Sequence, residues 1–95
     1  MDTMGVVVGV GVVKVTFPFT LINGAHLYSD PDNTAQVFYG TRSTVTADCS
    51  ATSGFPVEVG HDTFIPNTHF DRPKAENAIW LISTVADQKV FLEFE

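Results

Sequence analysis

The 95-residue chain has one cysteine, five basic residues and no apolar run long enough to span a bilayer. A lone cysteine, Cys49, rules out an intrachain disulfide and any zinc site built on several thiolates. Eleven acids against five bases leave a net charge of −6. That sign repels a phosphate backbone and an anionic membrane surface, so nucleic acid and membrane are not expected partners. The apolar stretch 4–13 falls well short of the roughly 20 residues a bilayer requires, and Asp2 is the wrong flank for a signal peptide. The sequence therefore reads as a soluble chain made in a cytoplasm.

Charged residues make up only 17% of the chain and hydrophobic ones 44%, enough apolar matter for one packed core and too much for a disordered segment. A chain of this length encloses a single core, so residues 1–95 read as one domain. No segment carries a sustained 3.6-residue apolar period, which leaves period-two signals to define the fold. Residues 5–17 hold seven valines, which suit a pleated surface better than a helix, and read as a strand or as two strands joined at a bend. Gly9 and Gly11 interrupt its pattern, as happens at a bulge or where a neighbouring backbone comes close. Residues 1–13 form a possible N-terminal arm or oligomerisation strand that orders on assembly, its valines open to pairing with another subunit.

Residues 23–34 concentrate turn formers and read as a surface loop. Strands are expected at 35–39 and 43–47. Two short ones follow at 55–59 and 62–65, where Pro56 and Pro66 favour sheet edges. Residues 67–77 form a long polar loop. At the C-terminus Ile79, Leu81, Ser83 and Val85 alternate with Trp80, Ile82 and Thr84, then Val90, Leu92 and Phe94 alternate with Phe91, Glu93 and Glu95. This pattern predicts a C-terminal β-hairpin with Val90, Leu92 and Phe94 facing the core and the glutamates outward. The predicted class is all-β, a small antiparallel β-sandwich or barrel.

Few residues offer chemistry. His61, Asp62, His69 and Asp71 lie within eleven positions, but their spacing matches no metal-binding pattern and they read as solvated loop residues. Asp30-Pro31-Asp32-Asn33 opens like a calcium loop, yet Ala35 and Thr41 occupy the positions where an EF-hand needs glycine and glutamate, so a turn is the better reading. Gly9-Val10-Gly11 lacks both the third glycine and the helix that a phosphate-binding fingerprint requires. A Cys49–His61 nucleophile pair would need an orienting group and an oxyanion hole, and the residues around Cys49 match no catalytic signature. No catalytic residue, cofactor or metal is assigned, and an enzyme is not expected. Trp80 and most phenylalanines read as core. Tyr28, Phe64 and Phe70, beside prolines and charges, are candidate interface anchors, together with Val6, Val8, Val10 and Val12 of the N-terminal segment.

From Thr34 onward the chain resembles a pattern found in small structural proteins of tailed bacteriophages. The residues concerned are Ala35-Gln36-Val37-Phe38-Tyr39-Gly40, Thr44-Val45-Thr46, Gly54-Phe55-Pro56-Val57, Val59-Gly60 and Ile79-Trp80-Leu81-Ile82-Ser83-Thr84, with a last strand after them. The resemblance covers about two thirds of the chain. It implies a β-rich, non-enzymatic virion protein on the capsid surface, a decoration or cement protein bound to the major capsid protein, commonly as a homotrimer. Similar modules occur in tail and fibre proteins, and a fibre-associated or carbohydrate-binding sandwich using Trp80 or Tyr28 as a stacking platform is the alternative.

Overall fold

The computed structural model describes residues 2–17, 23–40, 45–47, 54–66 and 78–94. Eight strands are found there: β1 Asp2–Val8, β2 Val13–Thr16, β3 Gly24–Ser29, β4 Val37–Gly40, β5 Phe55–Val57, β6 Asp62–Pro66, β7 Ala78–Ser83 and β8 Gln88–Phe94. They form two four-stranded sheets, sheet I in the order β1-β8-β3-β6 and sheet II in the order β2-β7-β4-β5, and every pairing is antiparallel.

One rule generates this order. The chain folds back on itself about its middle, so that β4 pairs with β5, β3 with β6, β2 with β7 and β1 with β8. The long ribbon is then rolled so that its successive pairs fall alternately in sheet II and sheet I. Closing contacts between β4 and β7 and between β3 and β8 complete the sheets. Eight strands wound in this way are a jelly roll. The all-β sandwich expected from the sequence is therefore present, in that particular topology.

The core lies between the sheets and is supplied by alternate residues of both. Sheet I sends in Val8, Leu27, Ile65, Val90 and Leu92, and sheet II sends in Val15, Val37, Val57, Ile79 and Leu81. Phe17 and Phe94 meet edge to face at 4.8 Å between ring centroids. In β8 the alternation is complete: Gln88, Val90, Leu92 and Phe94 are buried while Lys89, Phe91 and Glu93 are exposed.

Several sequence expectations change here. Residues 24–29, read from the sequence as part of a surface loop, are β3, an interior strand of sheet I, and only the stretch after Ser29 is a turn. The C-terminal hairpin does not form. β7 sits between β2 and β4 of sheet II, and β8 sits between β1 and β3 of sheet I, so residues 84–87 carry the chain from one sheet to the other. Period-two alternation reports which face of a strand is buried and is silent about its partner, so two strands on opposite walls of one core read like two strands of a hairpin. The expected strand at 43–47 falls partly outside the described residues, and 45–47 is not a strand. Val45 is instead buried beside Gly54, whose N–H donates to the Thr46 carbonyl at 3.3 Å.

The N-terminal segment does not stand off as an arm: β1 is paired along its whole length with β8, and after a bend at 9–12 the chain enters sheet II as β2. Gly9 lies against the 84–87 connection, its carbonyl accepting from Ser83 N–H at 2.8 Å. The strands marked by Pro56 and Pro66 are both edge strands, the positions where a missing N–H is tolerated. The loop at 67–77, together with Cys49, His69, Phe70 and Asp71, lies outside the described residues.

Buried polar side chains lock the connections at one end of the sandwich. Gln88 Oε1 accepts from the N–H groups of Thr34 and Ala35 at 2.8 and 3.0 Å, and its Nε2 donates to Thr34 Oγ1 and the Ala86 carbonyl. Ser83 Oγ donates to the Gln36 carbonyl at 2.8 Å. Asn33 imitates a strand residue: its Oδ1 accepts from Lys89 N–H and its Nδ2 donates to the Lys89 carbonyl. Asp30 Oδ1 accepts from Asp32 N–H at 3.0 Å, the bond expected of a turn, so this carboxylate is occupied with its own backbone.

Candidate functional site: the outer face of sheet I

The outer face of sheet I is ordered by register. One row crosses the sheet as Gly5, Phe91, Tyr28 and Asp62, and the adjacent row as Thr3, Glu93, His26 and Phe64. A third begins with Val7 and Lys89. Residues directly opposite on one face stand with Cβ atoms about 5 Å apart, so Tyr28 and Phe91 are immediate neighbours and Phe64 lies diagonally from Tyr28. All three rings are open to solvent, with Phe64 56%, Phe91 46% and Tyr28 40% exposed, and Val7 beside them is 58% exposed. A Cβ at Gly5 would stand 3.7 Å from the Phe91 ring, so this ring leans toward the glycine.

Polar groups are set among the rings. His26 Nε2 lies 2.5 Å from Asp62 Oδ2, and its Nδ1 lies 4.0 Å from Glu93 Oε1. The imidazole thus stands between two carboxylates, one at each nitrogen. All of these side chains are about half exposed, so the pairs contribute little to stability. They orient hydrogen-bonding groups on an otherwise aromatic face.

Of the seven interface residues named from the sequence, Tyr28 and Phe64 come together on this face. Val6 and Val8 point the other way: Val6 packs against the core and Val8 is fully buried within it, where no partner can reach it. Val10 and Val12 are exposed in the 9–12 bend, away from the aromatic rows, and Phe70 lies outside the described residues. Sequence reasoning missed Phe91 and Val7. The signal for Phe91 was available, because the alternation that turns Glu93 outward turns Phe91 outward as well.

The remaining chemical candidates separate. Asp62 joins His26 on sheet I, whereas His61 belongs to the turn at 58–61, its N–H donating to the Glu58 carbonyl at 3.0 Å across Gly60 with φ +74°. Among the described residues no group of three or more His, Cys, Asp or Glu side chains is placed to hold a metal ion. No helix among them is long and apolar enough to cross a membrane. Trp80 lies on the outer face of sheet II, half-buried, with Lys14 Nζ 5.7 Å from its ring centroid. That cation occupies the ground a stacked sugar would need on the same face of the indole. Buried Tyr39 stacks with Phe55 at 5.3 Å, and burial pushes its phenol above the ordinary value.

Comparison with protein families, curated proteins and solved structures gives no match to this chain.

Proposed function

We propose that this chain is a virion structural protein that decorates a tailed-phage head, docking on the major capsid protein through the outer face of sheet I. The observation carrying this reading is the set of exposed rings of Tyr28, Phe64 and Phe91 on a strand face whose opposite side already completes the core. Aromatic anchors dominate binding energy at protein interfaces, and a cluster of them exposed on one sheet is the kind of patch that marks a contact surface. The jelly-roll topology is in keeping with this, being a recurrent chassis of viral capsid domains, although topology by itself does not assign function. The role proposed is non-enzymatic.

Magnitudes shape the mechanism. Three rings, each about half exposed and each offering roughly 200 Å² in all, represent on the order of 300 Å² of apolar surface, or about 7 kcal/mol at 25 cal/mol per Å². Association costs roughly 4–15 kcal/mol in lost freedom. One face therefore anchors weakly alone, and the rest of the energy comes from further rim contacts or from a second face linked to the first. Bound copies stabilise the shell by mass action, because they add free energy only to the assembled form.

The test is co-sedimentation with tailed-phage capsids that lack the chain. Saturation at a fixed number of copies per capsid, with a higher temperature of capsid opening, is the expected result. Absence of binding, or binding that never saturates, would remove the proposal.

A second reading is carried by the His26–Asp62 pair among the rings, since sugars are held by a ring face together with hydrogen-bonding groups, and lectin domains also use jelly rolls. Retention of the chain on immobilised glycans, abolished by Tyr28→Ala, would favour it over capsid docking.

A further inference from the structure

Among the described residues four strands end the two sheets, and three of them are blunted. β5 and β6 carry Pro56 and Pro66, while β2 is only four residues long and carries Lys14. β1 is different. It is seven residues long, and after Asp2 it contains neither proline nor charge. A long, uncharged, proline-free edge is the template onto which another strand adds.

The backbone of β1 can be oriented from the hydrogen bonds of its neighbour. Asp30 N–H donates to the Lys89 carbonyl at 3.1 Å, and Lys89 N–H donates to Asn33 Oδ1, so both backbone groups of Lys89 face the β3 side. Backbone groups alternate in direction along an antiparallel strand. Lys89, Phe91 and Glu93 therefore bond toward β3, and Val90 and Leu92 bond toward β1. Their partners Val6 and Met4 are thus the residues of β1 held to β8. It follows that Thr3, Gly5 and Val7 turn their N–H and C=O groups away from the sheet. The same parity appears on the far side of β3, where Ser29 N–H turns to β6 and donates to the His61 carbonyl at 2.9 Å.

We propose that two copies of this chain join along β1, in an antiparallel two-fold pairing centred on Gly5. Full overlap of residues 2–8 sets Gly5 opposite Gly5 of the second copy, Thr3 opposite Val7, and Met4 opposite Val6. Three facing pairs each exchange two bonds, giving about six backbone hydrogen bonds. The side chains complement one another. Outward, β-branched Thr3 meets Val7, a favourable cross-strand pair, and the glycine pair leaves room beneath the two Phe91 rings. Inward, Met4 and Val6, already packed against the core, continue it toward the second copy. The two Asp2 carboxylates fall at opposite ends, roughly 20 Å apart at about 3.4 Å per residue, so the pairing opposes no like charges. The product is an eight-stranded sheet carrying two aromatic faces side by side.

This pairing needs no capsid, so its failure and the failure of docking are separable. Sedimentation equilibrium of the purified chain reads the mass, and amide exchange at single residues reads the geometry. A mass rising with concentration from one chain to two is expected. Over the same range protection at Thr3, Gly5 and Val7 should rise about tenfold or more, while Met4 and Val6 stay protected throughout. Val7→Pro deletes one outward donor and leaves the β8 ladder intact, and should weaken the pairing at least about tenfold; Val10→Lys, at an exposed valine in the bend, should leave it unchanged. A single-chain mass at every concentration would overturn the proposal. So would the trimer that the phage resemblance implies, or a dimer in which Thr3, Gly5 and Val7 exchange freely.

Discussion

Gln88 shows how much of this fold depends on one polar side chain. It is 3% exposed, and its amide oxygen is the acceptor for two successive backbone donors. Truncating it to alanine removes the acceptor from the half-buried Ala35 N–H and from the N–H of exposed Thr34, and the first carries most of the cost. Gln88→Ala is expected to cost about 1–3 kcal/mol in urea unfolding. A loss under about 0.5 kcal/mol would show that water replaces the amide. Two glycines make an opposite pair. A Cβ at Gly54 would fall 2.6 Å from Val45 Cγ2 and 3.0 Å from the Tyr39 carbonyl, whereas at Gly11 it would meet nothing within 4 Å. Gly54→Ala should therefore destabilise by about 1–3 kcal/mol and Gly11→Ala by less than about 0.5, both read from thermal unfolding. Tyr39 adds a pH dependence. Its phenol is raised in the folded state by burial, so the unfolded chain releases this proton first. The stability it supports is intact below about pH 10 and is lost as pH climbs through the raised folded value. Tyr39→Phe should flatten the alkaline fall of the urea midpoint, and an unchanged fall would place its origin elsewhere.

At the scale of elements, β8 states the division of labour most plainly. Val90 and Leu92 are fully buried and Phe91 is about half exposed, so Leu92→Ala should cost about 2–5 kcal/mol and Phe91→Ser less, about 1–2 kcal/mol. Equal losses would mean that the outer ring belongs to the core. This alternation is legible in the amino-acid sequence, as are the turn at Asp30–Asn33 and the edge placement of the proline-bearing strands. Each is a local rule: a period, a side chain bonding its own backbone, a missing donor. Pairing is not legible in the same way. The match of β7 with β2 and β4 and of β8 with β1 and β3 depends on residues far away in the chain, and no local pattern encodes them. The valines of the N-terminal segment show the same limit. Val6, Val8, Val10 and Val12 share a parity, but the bend at 9–12 breaks the strand, leaving the first two on the core side and the last two in solvent.

At the scale of the whole molecule, rolling one long ribbon into two sheets puts the core between them and leaves the outer face of sheet I outside it. Tyr28, Phe64 and Phe91 can therefore be changed without loss of the fold, which allows docking to be tested apart from stability. The most direct measurement is the binding of the double variant Phe64→Ser/Phe91→Ser to capsids lacking the chain, compared with the native chain, after thermal unfolding has shown the variant to be folded. At least about thirtyfold weaker binding is expected, since two interface aromatics are typically worth about 1–2 kcal/mol or more each. A folded double variant that coats capsids as tightly as the native chain would contradict the assignment of this face as the docking surface.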